Sequence, residues 1–416
     1  MSPRAILQEL FRAAVAAAQP DLRMPQFLPA PPRGRTVVVG AGKAAAHMAA
    51  ALEALWPAPL EGVVVTRYGH AAPCRHVRVL EAGHPVPDQN SLMAAQAMRR
   101  QVGGLTPDDL VISLISGGGS ALLVEPVPGI SLADKQQVTQ AMFQAGATIR
   151  ELNQVRQALS RIKGGGLAAA AYPAQVLTLV ISDVPGDDPA YIASGPTVAP
   201  PEDAVPPLEI ISRLGLRLPA HVEAALAHPA TRRSQDFLHC RTELIATPVQ
   251  SLQAAAARAR ELGIAPLILS DCIEADAKEA ALVHAGIAQS VRRHGLPLKP
   301  PAVLLSGGEC RVSLGNQSPG KGGRNTEFLL ALGLALDPED RICALACDTD
   351  GIDGSEDNAG AVWLPDSLAR ARRLSLDMPQ YLTRHDSHAA FAALDDLIVT
   401  GPTHTNVNDF RAILIA

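Results

Sequence analysis

Aromatic side chains are scarce in this chain: seven Phe, four Tyr and two Trp make up 3% of 416 residues. Proteins that hold single-stranded nucleic acid stack its bases on aromatic platforms, so that class is excluded. A surplus of positive charge is missing too. The 36 Lys and Arg are outnumbered by 41 Asp and Glu, a net −5, which leaves no field to collect a nucleic acid. Any anion must therefore be bound by a local group of residues. No uninterrupted apolar run approaches the ~18 residues of a membrane span. The N-terminal segment carries Arg4, Glu9 and Arg12, which predicts a helix rather than a leader peptide. The six cysteines, Cys74, Cys240, Cys272, Cys310, Cys343 and Cys347, form no CxxC pair. Their scatter argues against structural zinc and fits reduced thiols in the cytoplasm.

What is present is organised around Leu110–Val124, LVISLISGGGSALLV. Leu110 to Ile115 is too short and too uniformly apolar for a helix, and predicts a buried parallel strand. It runs into Ser116-Gly117-Gly118-Gly119-Ser120, where three glycines let the backbone turn sharply and offer bare N–H groups to an anion. The same grammar returns at Val303–Glu309, VLLSGGE, where Gly307 and Gly308 precede a carboxylate. An ordinary tight turn needs glycine as well, so neither stretch decides alone. Together they suggest two α/β units.

Strand Thr36–Val39, the turn Gly40-Ala41-Gly42-Lys43-Ala44-Ala45, a helix to about Leu55 and strand Gly62–Thr66 read as a βαβ unit. GAGKAA fits the dinucleotide fingerprint GxGxxG/A. The acid required after the second strand is missing, because Thr66-Arg67 stands there, and the P-loop pattern GxxxxGK[ST] is absent. Lys43 opposes the dipole of the helix it begins unless an anion sits there; a solvated lysine is the plainer account. Helix from Leu132 to Ser160 leads to Arg161-Ile162-Lys163-Gly164-Gly165-Gly166, a cation–glycine cluster that a helix C-cap would also explain. Strand Val176–Ile181 ends at Ser182-Asp183, and ligands of open α/β sheets bind beyond such strand ends.

A domain boundary is expected near residue 240, followed by strands at Glu243–Ala246, Pro266–Ser270, Ala302–Leu305, Ile342–Cys347 and Ala412–Ile415. Arg311–Leu314 reads as the return arm of a hairpin. Lys321, Arg324 and Asn325 lie in GKGGRNTE before a helix, in a stretch that suits either an anion site or a solvated loop. Asp348, Asp350 and Asp353 crowd six residues after a strand, which suits a hard oxygen-seeking cation or turn caps, although the EF-hand's twelfth-position Glu is missing.

Nine segments, GAGKAA, EAGHPVPD, LISGGGSALL, IKGG, ISDVPGDDP with IASGPT, LSGGE, GKGGRNTEF, DTDGIDG and GPTHTNVND, resemble in order those of the two-domain bacterial and animal glycerate kinases. The C-terminal part of that family is called the MOFRL domain. The resemblance implies two α/β domains: a Rossmann-like one over residues 1–240 with a mainly parallel sheet, and a MOFRL-type one over 241–416. It implies an active site in the cleft between them and a cytoplasmic enzyme, monomer or homodimer, with no nucleic-acid or membrane partner. The reaction implied is transfer of the γ-phosphoryl group of ATP to D-glycerate, usually giving 2-phosphoglycerate. Many members once bore the label hydroxypyruvate reductase, so an NAD(P)H-dependent reductase is the alternative, and a nucleotide sensor without turnover is a third reading. Two local departures, Val155-Arg156-Gln157-Ala158-Leu159-Ser160 for the usual VRKHLS and His385-Asp386 for a frequent Asn-Asp, touch substrate contacts rather than the class.

Phosphoryl transfer needs an anion cradle, a divalent ion, placement of the acceptor and cations for the developing charge. For the cradle the candidates are Gly42, Ser116, Gly117, Gly118, Gly119, Ser120, Lys163, Gly164, Gly307, Gly308, Lys321 and Asn325. Lys43, Asp183, Arg324 and Asp350 are the candidate catalytic residues, and Asp183, Glu309, Asp348 and Asp350 the candidate Mg²⁺ ligands. ATP is assigned mainly to the N-terminal turns and glycerate to the cleft, its carboxylate gripped by Arg324 or Arg156.

Overall fold

The apolar runs of the first half become one sheet in the computed structural model, which describes residues 1–201, 204–230, 232, 234–314 and 320–416. Its strands are β1 (Thr36–Ala41), β2 (Glu61–Arg67), β3 (Val77–Ala82), β4 (Leu110–Ile115), β5 (Gln175–Ile181) and β6 (Cys240–Ala246), in the order β3-β2-β1-β4-β5-β6. β1 to β5 all run parallel. Every residue of β1 and β4 is buried, as strands covered on both faces must be. The chain steps outward from β1 to β2 and β3, then returns to lay β4 against the other side of β1. The loops that follow β1 and β4 thereby leave the sheet side by side. That reversal is where doubly wound sheets bind their ligands.

Beyond β4 the helical stretch expected from about Leu132 to Ser160 consists of two helices, Leu132–Gln144 and Ile149–Ala158. Gly146 breaks it at φ +73°, and Thr148 with Glu151 caps the second piece in a reciprocal box.

The second half forms another sheet from β7 (Ala265–Ile273), β8 (Ala302–Gly308), β9 (Cys343–Asp348), β10 (Gly360–Trp363), β11 (Leu397–Ile398) and β12 (Asp409–Ile415), ordered β11-β10-β9-β12-β8-β7. Only the β7–β8 pair is parallel among these neighbours. β12 is fully buried at the centre. The helix Pro3–Ala16 turns Leu7, Leu10, Phe11 and Ala14 onto this sheet and onto the helix Pro248–Glu261, with the Phe11 and Phe410 rings 5.7 Å apart.

Two compact units result, Pro20–Ile245 and Met1–Gln19 together with Ala246–Ala416. The N-terminal helix thus packs with the C-terminal segment, and β6 extends the first sheet past residue 240. Arg311–Leu314 forms no hairpin arm: Arg311 makes one isolated bridge to Asp276, and β8 is flanked by β7 and β12. All six cysteines are free. Among the described residues no helix is long and apolar enough to cross a membrane.

Gly307 and Gly308 lie inside β8, paired with Phe410 and Asp409, so the second Ser-Gly-Gly is ladder rather than a phosphate-type turn. Its glycines serve close packing. Gly308 has φ +113°, and a Cβ there would sit 2.2 Å from the backbone nitrogen of Ile273, where β7 bulges. Gly308→Ala is therefore expected to cost roughly 2–4 kcal/mol, read as a lower urea midpoint at an unchanged m-value.

Candidate functional site

At the end of β1 the chain turns through Gly42 at φ +141°, where a Cβ would fall 2.1 Å from Ser116 Oγ. No side chain fits between the two loops at that point. Ser116 Oγ instead accepts the Ala44 N–H at 3.0 Å, and Lys43 N–H donates to the Gly117 carbonyl at 2.8 Å. Gly118, at φ +79°, starts the short helix Gly119–Leu122. A Cβ on Gly118 would meet His84 Nε2 at 2.9 Å and Lys43 Cγ at 3.4 Å, so both side chains lean over the glycine turn. Gly42, Lys43, Ser116, Gly117, Gly118, Gly119 and Ser120 are thus one constellation. Half-buried Asp183 follows β5 on the same edge of the sheet.

Lys163 joins this group from beneath. Only 1% exposed, it donates through Nζ to the Ser120 carbonyl at 2.6 Å and to Ser120 Oγ at 3.1 Å. Ser120 Oγ in turn lies 2.8 Å from Ser194 Oγ, which donates to Asn153 Oδ1 at 3.0 Å. Gly164 takes φ +54° and ties its N–H to the Ser194 carbonyl at 3.0 Å, a structural rather than an open amide. Burial drives the Lys163 pKa well below its usual value, and Lys135 and Arg156 add repulsion. Lys135 donates to the Arg156 and Leu159 carbonyls at 3.1 and 3.0 Å, near the C-terminal end of the helix Ile149–Ala158.

The other unit gathers charge of both signs. Arg324 opens the helix Arg324–Ala335 and spreads its guanidinium over three carboxylates: Nε to Asp409 at 2.6 Å, Nη1 to Glu309 at 3.0 Å and Nη2 to Asp348 at 2.8 Å. Burial alone would lower its pKa, but Asp409, Asp348 and Glu309 outweigh burial and raise it well above the usual value. Asp409 is itself completely enclosed and bonds Arg411, Asn325 Nδ2 at 2.8 Å and the Cys310 N–H at 3.1 Å. Burial would raise the pKa of Asp409; Arg324 and Arg411 hold it down. Asp353 caps the same helix by accepting the N–H groups of Asn325 and Thr326 at 2.9 and 2.8 Å. Asn325 Oδ1 is buried with no hydrogen-bond partner among the described residues. Asp350 accepts the Ile352 N–H at 2.9 Å. Lys321 stands at the surface and pairs with Glu356 at 3.0 Å.

Arg324, Asn325, Glu309 and Asp348 are therefore brought together, with Asp350 beside Asp348 through a 3.1 Å bond to its N–H. Glu309 and Asp348 face a guanidinium, and among the described residues no three His, Cys, Asp or Glu side chains converge as metal ligands. Asp409 and Arg411 escaped the sequence reading, although a lone arginine in the apolar strand DFRAILI signals a buried ion pair. Lys135 carried no such signal.

A sheet whose strand order reverses at β1, with a glycine turn and Lys43 beside that reversal, places the chain in the doubly wound class of α/β proteins. Comparisons with known proteins narrow this. Residues 6–227 match the domain of unknown function DUF4147, and residues 302–409 match the MOFRL family. A protein of Agrobacterium vitis named "Putative hydroxypyruvate reductase" is 54% identical over 416 residues, covering 100% of this chain and 95% of its own. The D-glycerate 2-kinase of Thermotoga maritima is 36% identical over 98% of this chain and 97% of its own. A crystal structure of glycerate kinase from Thermotoga maritima superposes with a TM-score of 0.90 at 33% identity, over 99% of each chain. The chain belongs to the two-domain glycerate kinase family that carries a MOFRL domain.

The buried lysines predict a pH effect on stability. Burial and then Arg156 push the Lys135 pKa down to about 7, whereas an unfolded lysine titrates near 10.4. Between those values the unfolded chain binds the extra proton, so stability rises with pH across the window. In Lys135→Met that rise should shrink by up to ~1.4 kcal/mol per pH unit, as measured from urea midpoints between pH 7 and 10.

Proposed function

We propose that this chain transfers the γ-phosphoryl group of ATP to D-glycerate, giving 2-phosphoglycerate and ADP. The observation that carries the reading is the glycine turn Ser116–Ser120 at the switch point, with the Lys43 side chain lying over Gly118. Backbone N–H groups and an ammonium at such a turn suit phosphate oxygens. Membership of the glycerate kinase family supplies the acceptor. Lys43 and Arg324 are the cations proposed to stabilise charge on the transferring group. Asp183 and Asp350 are the carboxylates proposed for the acceptor's proton and for Mg²⁺. Such an ion travels on the nucleotide's phosphates and asks for only one or two protein carboxylates, so a single carboxylate at a strand end fits it. When bound, Mg²⁺ neutralises charge on the phosphates.

The name borne by the Agrobacterium vitis relative favours a second reading, NAD(P)H-dependent reduction of hydroxypyruvate. The end of β2 speaks against NADH: it carries no acid for an adenosine ribose, and Thr66 is buried with its hydroxyl spent on the Lys43 carbonyl at 3.2 Å. Arg67 at the same place would suit the 2′-phosphate of NADPH, so that cofactor is left to the assay.

Purified protein offered both substrate pairs separates the two. D-glycerate-dependent ADP formation is expected, with NAD(P)H oxidation at background; NAD(P)H consumption without ADP would reject the kinase. Lys43→Ala should lower kcat by roughly 10²–10⁴-fold with unchanged circular dichroism; Arg324→Met should lower kcat by a similar factor while still folded, at a lower urea midpoint because it strands three carboxylates. Near-normal turnover would return either residue to a structural role. Activity should vanish with a chelator and return with Mg²⁺; full activity after exhaustive chelation would remove the ion from the reading.

A further inference from the structure

A pocket of about 650 Å³ beside the glycine turn is lined by three basic side chains and, among its described lining residues, by no carboxylate. The segment His84–Pro87, residues Gly118 and Ser120, and the helices Leu132–Gln144 and Ile149–Ala158 contribute to its wall. Lys135, Arg156 and Lys163 line it, and none of its described lining residues is an Asp or Glu. Lys135 and Lys163 are 6% and 1% exposed. Their hydrogen bonds go to neutral oxygens, the carbonyls of Arg156, Leu159 and Ser120 and the Ser120 hydroxyl. Burying an ammonium without a counter-ion is costly, and burial lowers the pKa of all three cations. Amines so placed give up their protons readily when no anion is near and would hold them against a negative charge that arrives with a ligand.

The number of cations and the shape of the rim indicate which ligand. One carboxylate would offset one of three cations, whereas a triphosphate matches the cluster. The volume falls in the range of drug-sized ligands and far exceeds a three-carbon acid. At the mouth stands Phe143, 60% exposed in a chain with few aromatics, with the Arg156 guanidinium 5.9 Å from its ring centre. Pro85, Val86 and Pro87 supply a second apolar surface, and exposed Gln140 an amide. A planar heterocycle finds stacking surface there, with the cations further in.

We propose that this pocket is the nucleotide site, its cations Lys135, Arg156 and Lys163 holding the triphosphate and its rim, Phe143 with Pro85–Pro87, holding the purine base. The proposal rests on the reading of ATP as phosphoryl donor and assigns the donor to one pocket of the unit Pro20–Ile245. It gives Phe143 and Arg156 roles in binding that no glycine motif announces.

Titration calorimetry on the full chain tests it with three probes: the non-hydrolysable analogue adenylyl imidodiphosphate, inorganic tripolyphosphate and D-glycerate. Three variants are compared, Arg156→Met, Phe143→Ser and Gln140→Glu. The last two change exposed positions, and Gln140→Glu places a carboxylate in the acid-free wall. Arg156→Met and Gln140→Glu should weaken both the analogue and tripolyphosphate by about 10-fold or more. Phe143→Ser should weaken the analogue by about 5-fold or more and leave tripolyphosphate unchanged. KM for D-glycerate should stay within about 2-fold throughout. Unchanged analogue affinity in Arg156→Met and Gln140→Glu, or a loss confined to D-glycerate, would overturn the proposal. A kinase whose nucleotide affinity ignores all three variants would refute the pocket and spare the kinase reading. A chain that never forms ADP, yet loses the analogue in these variants, would do the reverse.

Discussion

The loops after β1 and β4 touch backbone to backbone, and most of the first unit's chemistry depends on that contact. Gly42 has no room for a Cβ because Ser116 occupies the space, and a Cβ on Gly119 would fall 2.7 Å from Ala193 and 2.9 Å from the Ala41 carbonyl. A parallel sheet whose strand order reverses always brings two loops together. Here the absence of a side chain at residue 42 leaves the space in which Ser116 Oγ bonds one loop to the other. Lys43 is consequently delivered over the glycine turn by backbone geometry rather than by a flexible reach.

The two units treat charge in opposite ways. Around Arg324 each charge meets an opposite one: three carboxylates on one guanidinium, and Asp409 shared with the buried Arg411, whose guanidinium also lies 5.0 Å from the Phe328 ring centre. Such a network holds its members in one arrangement, since removing one partner strands the rest in a medium of low polarity. Around Lys163 the two lysines donate, among the described residues, to carbonyls and a hydroxyl, and they repel each other and Arg156. Rigidity is the natural product of the first arrangement. Receptivity to an anion is that of the second.

What could be read from the sequence follows the same physics. β4 was legible to the residue because a strand buried on both faces is an unbroken apolar run, and β1 and β5 nearly so. β3, VRVLEA, alternates because only parts of it are covered, and it went unread; β10 is only four residues long and did too. The first glycine turn was recognisable because three consecutive glycines follow an apolar run, and one of them, Gly118, takes φ +79°, which few other residues tolerate. The second was misread because Gly308 answers to the backbone of Ile273, a neighbour 35 residues earlier that local sequence does not reveal. The division into units was legible in number but not in membership. Nothing in Pro3–Ala16 says which apolar surface will cover Leu7 and Phe11. Phe143 and Lys135 lie on a helix of ordinary composition, and only the packing of the next helix makes a pocket wall of them.

The placement of that first helix sets an order on biosynthesis. The unit Pro20–Ile245 is a continuous stretch, and all of its strands have emerged once β6 is made. The other unit begins before it and ends after it. Its central strand, β12, lies between β9 and β8 and is the last strand to be synthesised, so the sheet stays split until Asp409–Ile415 emerges. At ordinary translation rates the apolar face of Pro3–Ala16 waits roughly 20–80 s for its full set of partners. During that interval the middle of the chain has all its strands, while Leu7, Leu10, Phe11 and Ala14 of the first helix still lack the surface that covers them.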